Sequence, residues 1–166
     1  MMNIFNSHPN NLYNILLQLS RNIFFYEKIK LPDTFETRIY LMFIHFSIFM
    51  IITKKKGSKF DQKSYDNLFN NIEYNLRELG FGDVSVNKKM KEFNKILYDI
   101  LLKIDLKKDI NNEFKMNSDL IKKYFTVFND IEEAKLVKFD DYLTNFYNFC
   151  FELHLDNMIE KAIEFK

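Results

Sequence analysis

The 166-residue sequence has no tryptophan, one cysteine, two prolines and three glycines, and alanine is nearly absent. With Cys150 alone, no intrachain disulfide can form. Nothing cationic adjoins it between Phe149 and Phe151, so we read Cys150 as a small buried apolar residue and not as a reactive thiol. The shortage of glycine and proline leaves little turn punctuation for a many-stranded sandwich or barrel and favours long helices. The net charge of +1 arises from interspersed lysines and acids. That removes a global case for nucleic-acid binding and leaves room only for a local basic surface. The segment from Met1 to Pro9 has no basic start, apolar run or small-residue cleavage site, so no export signal is expected. Aromatic residues are so numerous, 19 Phe and 9 Tyr, that their number by itself carries no functional argument.

What is present has the period of α-helices. Leu12, Ile15, Leu16, Leu19, Ile23 and Tyr26 recur at three and four, predicting one helix from Leu12 to Tyr26. Pro32 disfavours helical geometry at Leu31, so a corner is expected at Leu31, Pro32 and Asp33, with Asp33 and Glu36 spaced to cap the next helix. That helix contains the 14-residue apolar stretch Ile39 to Ile52, shorter than the about 20 apolar residues that span a bilayer, and reads as a buried core helix. It should end at Lys54, Lys55 and Lys56 with Gly57 beyond. A third helix starts near Asp61, carries Tyr65, Leu68, Phe69, Ile72, Leu76 and Leu79 in phase, and stops at Gly80, with Gly82 sharpening the turn. Ser85 or Asn87 is expected to cap a fourth helix bearing Met90, Phe93, Leu97, Ile100, Leu101 and Ile104, with Lys88, Lys89, Lys91 and Lys95 pointing elsewhere. Leu106 to Asn117 reads as a polar loop. A short helix through Leu120, Ile121, Tyr124, Phe125 and Phe128 follows. A final region from Phe139 to Cys150 continues or bends into Met158 and Ile163. The expectation is an all-α, single, compact domain of about six helices over residues 1–166.

Hydrolysis and group transfer need a nucleophile beside a base, paired carboxylates, or metal ligands at workable spacing. The sequence offers none of these arrangements. His8, His45 and His154 are far apart, and His154 with Met158 at i and i+4 is an unlike pair without a supporting carboxylate or cysteine. Gly80-Phe81-Gly82 follows a helix and not a strand, and lacks the spacing of a phosphate loop. No catalytic residue, metal or cofactor is therefore expected, and a protein that works by binding another protein is.

Two segments stand out together. Leu31-Pro32-Asp33-Thr34-Phe35 leads into Ile44-His45, and Leu76-Arg77-Glu78-Leu79-Gly80-Phe81-Gly82-Asp83 leads into Val86-Asn87-Lys88-Lys89-Met90. Their order and separation resemble the ubiquinol-cytochrome c chaperone family of complex III assembly factors. In that family a P-D-T segment opens a helix carrying an L-H pair, and an L-R-E-L-G-x-G-D segment precedes a basic helix start. Arg38, soon after the first segment, looks more like the bacterial branch. The sequence departs at Ile44, which replaces leucine. It departs again after the basic helix start, where an aromatic, a glycine and an arginine are represented only by Tyr98, followed by Asp99 and Ile100.

The resemblance implies a non-enzymatic chaperone that engages newly made cytochrome b, at the ribosome and the inner face of the bacterial inner membrane. The motif residues it marks for client or partner contact are Pro32, Asp33, Thr34, Phe35, Arg38, His45, Arg77, Glu78, Gly80, Gly82, Asp83, Lys88, Lys89 and Met90. The plainer readings stand beside this one: Asp33 and Thr34 as helix caps, His45 as a hydrogen-bonded core residue, Gly80 and Gly82 as helix stop and turn, and the lysines as a solvated face. A ribosome- or RNA-binding helical module, or a haem-handling protein using His45, are the alternatives from other classes.

Overall fold

The computed structural model describes residues 8–106, 114–129 and 133–166. Among them the regular elements are α1 (His8–Ser20), α2 (Ile23–Glu27), α3 (Phe35–Lys55), α4 (Gln62–Glu78), α5 (Asp83–Leu106), α6 (Ser118–Tyr124), a 3-10 turn (Thr126–Asn129), α7 (Glu133–Phe151), α8 (Met158–Lys161) and a second 3-10 turn (Ala162–Glu164). No strand occurs among these residues, and the domain is all-α, as its composition implied. The predicted polar loop from Leu106 to Asn117 falls partly on residues 107–113, outside the described residues.

α3 is the centre. Fourteen of its 21 residues are buried, and they face all directions around the helix. Among the described residues it is the one helix long and apolar enough to cross a bilayer. Here α1, α5 and α7 pack against it. Its buried hydroxyls bond back to their own helix: Ser47 donates to the Phe43 carbonyl and Thr53 to the Phe49 carbonyl, each at 2.7 Å, so neither is stranded in the core. α1 also packs on α4 and α8, and α5 lies across α3 and α4. The buried apolar side chains form one contiguous cluster that runs from Leu12 to Ala162.

Helix ends follow their local chemistry. α3 stops at Gly57 (φ +77°), where the Ser58 amide reaches the Thr53 carbonyl at 3.0 Å and the Gly57 amide reaches Lys54 at 3.0 Å. α4 ends the same way at Gly80 (φ +96°), with Phe81 bonded back to Leu76 at 3.2 Å and Gly80 to Arg77 at 3.0 Å. Both are six-to-one and five-to-two closures on a left-handed residue, the conformation glycine adopts without a Cβ penalty. Asp61 starts α4, accepting from the amides of Lys63 and Ser64.

Several expectations are corrected. The predicted Leu12 to Tyr26 helix is two, because the Asn22 side chain accepts the Phe24 amide at 3.0 Å and starts α2 afresh. The phase shifts at this break, so Ile23 is 59% exposed while Phe25 is buried. α5 begins at Asp83, ahead of Ser85 and Asn87. The Gly82 carbonyl accepts the Val86 amide at 2.9 Å and fills the capping position. Leu79 lies past the last turn of α4 and is exposed. The supposedly polar loop returns Phe114 and Met116 to the core, where the Phe114 ring stacks on Tyr147 with centroids 4.4 Å apart. α6 ends at Tyr124, and Phe128 falls in the 3-10 turn. His154 is exposed and outside any helix while Met158 is buried, so the two share no helical face.

Candidate partner-binding surface

The two motif segments, far apart in sequence, meet at the N-terminal ends of α3 and α5. Pro32, Asp33 and Thr34 are exposed in the connection before α3. Thr34 is its N-cap: the hydroxyl oxygen accepts the Thr37 amide at 3.2 Å and lies 3.0 Å from the Thr37 hydroxyl. Asp33 does not cap. Its carboxylate takes the Arg38 guanidinium instead, with the nearest contact at 2.6 Å, because Thr34 sits one residue closer to the first turn and satisfies the amide that Asp33 would have reached. Glu36 likewise turns away from the cap. It reaches across to Lys89 on α5 at 3.6 Å.

Lys89 is the joint of this surface. Its ammonium faces Glu36 on one side and stands over the Phe81 ring, 5.2 Å from the centroid, on the other. Phe35 packs beneath it against Phe93 at 6.3 Å, and Met90 is half-buried beside them. The ion pair is partly solvated and orients more than it stabilises, being worth at most about 1 kcal/mol. At the turn before α5, Arg77 holds Glu73 at 3.0 Å and also hydrogen-bonds Asp83, so the acid in the first turn of α5 is already neutralised. Glu78, Gly80 and Gly82 are exposed there. Lys88 is exposed and makes no ion pair with a described residue.

His45 does not belong to this surface. It is fully buried one face deeper on α3, among the Phe25, Tyr142 and Phe146 rings. Burial pushes the imidazole pKa down to about 4, against a weaker upward pull from its backbone hydrogen bond. Both ring nitrogens are engaged, by the Leu41 carbonyl and the Tyr142 hydroxyl, so neither is presented to a haem iron or a metal. Among the described residues no group of three or more His, Cys, Asp or Glu side chains could hold a metal ion. Cys150 is buried, and burial raises its thiol pKa to about 12.

Two lysines at the C-terminal end of α3 have specific partners. Lys55 donates to the Tyr147 hydroxyl at 2.9 Å, and Lys56 to the Leu153 carbonyl at 2.6 Å while standing over the Phe151 ring. They clamp the end of α3 to the end of α7. Asp99, which follows Tyr98 on α5, is a second clamp. It accepts from Lys123 at 2.8 Å, from Lys103 at 2.9 Å and from the Tyr124 hydroxyl. Burial opposes ionisation of Asp99, but these bonds outweigh it and pull the carboxyl pKa to about 2.

Sequence reasoning marked most of the surface but missed Glu36 and Phe93 as members of it. The first was read as a cap and the second as plain core. Their only signal was position on the two converging helix starts. No curated protein and no solved structure matches the chain. A family model described as Ubiquinol-cytochrome C chaperone matches residues 27–133. The match spans both motif segments and the surface they form.

Proposed function

The chain belongs to the ubiquinol-cytochrome c chaperone family, whose general role is in the assembly of complex III, and from that premise we propose that it is a non-enzymatic chaperone of newly made cytochrome b. The observation that carries the proposal is the Glu36–Lys89–Phe81 joint, which turns two distant segments into one continuous, partly charged surface with apolar side chains beneath. Such a surface suits a membrane-protein client still exposing both apolar and polar segments: charges guide the encounter, and the aromatic floor holds it. Client capture takes place as the client leaves the ribosome, at the inner face of a bacterial inner membrane, with the chaperone peripheral to the bilayer.

The test is capture of cytochrome b by the tagged protein in detergent extract, read by crosslinking mass spectrometry. Arg38→Glu with Lys89→Glu should lower recovery of cytochrome b peptides several-fold while circular dichroism and the melting temperature stay near those of the parent. Arg38→Gln with Lys89→Gln serves the same purpose should charge reversal melt the domain. Undiminished capture by a folded variant would overturn the proposal. So would enrichment of ribosomal proteins without cytochrome b, which is the result expected of an RNA-binding module.

A further inference from the structure

α5 carries a stripe at alternating spacings of four and three: Val84, Lys88, Lys91, Lys95, Tyr98 and Leu102. This spacing keeps them on one helical face, and every one of them is exposed. The stripe is about 27 Å long at 1.5 Å per residue. Its ends are apolar and its middle is basic. Val84 is 85% exposed at one end, and Tyr98 and Leu102 are 63% and 61% exposed at the other. Leu79 and Phe81 are exposed in the turn just before Val84, so five of the ten large hydrophobic residues that the described fold leaves exposed lie on this helix or its entry turn. A soluble surface normally scatters such residues singly.

The charge within the stripe has one sign. No acid occupies any of its positions; of the acids that flank it, Glu92 is exposed beside Lys88, Lys91 and Lys95, while Asp83 is matched by Arg77 and Asp99 by Lys103 and Lys123. Three lysines against one flanking carboxylate leave the face cationic toward an anionic surface. The entry turn is held by the double closure on Gly80, so its apolar residues are presented in fixed positions at no ordering cost on binding. Apolar side chains at both ends of a flat helical face, with long ammonium side chains between them, match the layering of an anionic bilayer. The ends enter the interfacial zone, Tyr98 takes the amphipathic position favoured there, and the lysines extend to headgroup phosphates.

We propose that α5 lies flat on an anionic lipid bilayer through this stripe, and that this is how the chain holds to a membrane. The inference rests on the peripheral placement proposed above and gives it a surface that leaves out Glu36 and Lys89 and adjoins the client joint at Phe81. A nucleic acid would also attract the lysines but gives no account of Val84 and Leu102.

The natural chain lacks tryptophan, so Val84→Trp and Leu102→Trp each create a single fluorophore, one at either end of the stripe. Both are titrated as full-length proteins with vesicles of phosphatidylcholine alone and of phosphatidylcholine with 30% phosphatidylglycerol, with and without brominated acyl chains. The expected result is a blue shift and bromine quenching at both positions, with the anionic vesicles only. In the Val84→Trp background, Lys91→Gln with Lys95→Gln should weaken partitioning on the order of tenfold or more. A shift at neither position, or at Val84→Trp alone, overturns the flat docking. So does a shift produced in lipid-free solution by a cytochrome b segment or by RNA. Because this assay contains no client and the capture assay contains detergent instead of a bilayer, either result can fail without the other.

Discussion

The Nε2 atom of His45 accepts the hydroxyl of Tyr142 at 3.0 Å, a hydrogen bond that joins α3 to α7 across 97 positions of sequence. The geometry fixes the tautomer. A carbonyl can only accept, so Nδ1 carries the proton and donates it to Leu41 at 2.6 Å, leaving Nε2 bare for the tyrosine. The Tyr142 hydroxyl could also accept from a protonated Nε2, so it is burial that keeps the ring neutral.

That neutrality makes stability depend on pH. The imidazole has a pKa of about 4 in the folded chain against 6.5 in the open, so between these values the unfolded state binds the extra proton. The contribution of His45 is fully present above pH 6.5, falls as pH drops, and is lost below about 4, a change of about 3 kcal/mol in total. Thermal melts from pH 7.5 to 4 should show this decline, and His45→Gln, which cannot titrate, should flatten it. An unchanged slope in the variant would remove His45 as the cause. Asp99, held near 2, acts only at lower pH, where its clamp is lost as the carboxyl protonates.

Tyr142→Phe should destabilise the domain by about 1–3 kcal/mol, the cost of leaving a buried nitrogen without its partner. Urea unfolding measures it. In the His45→Gln background the same change should cost a different amount, because the two residues share one bond and their effects do not add.

Thr34→Ala removes the cap of α3 and should cost about 1 kcal/mol, with Thr34→Ser close to the parent. Asp33→Ala breaks only an exposed ion pair and should stay within about 0.5 kcal/mol, clearly less than Thr34→Ala. Equal losses from both would contradict the assignment of Thr34 as the cap.

Lys55→Met with Lys56→Met should lower stability without lowering affinity for anionic vesicles, since these ammonium groups already hold the Tyr147 hydroxyl and the Leu153 carbonyl. Vesicle sedimentation alongside urea unfolding separates the two effects. A loss of vesicle binding at full stability would transfer the lipid contact from α5 to this end of α3.

The sequence was most readable where one short-range rule governs. Gly57 and Gly80 end helices because of positive φ, and the apolar run of α3 was a core helix before any contact was known. It was least readable where two rules compete within a few residues. Asp33 and Thr34 are both good caps, and Thr34, one residue nearer the first turn, takes the Thr37 amide while Asp33 turns to Arg38. Ser85 and Asn87 are better caps than glycine in isolation, yet the closure on Gly80 delivers the chain already turned at Gly82. The Leu12 to Tyr26 periodicity ran through a break because Asn22 can sit in a helix as well as start one. His45 drew attention as a motif residue, and no local pattern could show that its partner was Tyr142.

The matched stretch, residues 27–133, and the unit that must fold together are different lengths of chain. α1 precedes the match and α7 begins at its last residue, yet these two helices pack on α3 from outside it. A polypeptide trimmed to the recognisable part would leave a membrane-length apolar helix bare along two flanks, with His45 short of Tyr142 and Lys55 short of Tyr147. Such a fragment is expected to aggregate or adhere to lipid indiscriminately, and any binding it showed would report on the exposed α3 and not on the chaperone. The part of the chain that reveals its kinship cannot stand in for the whole.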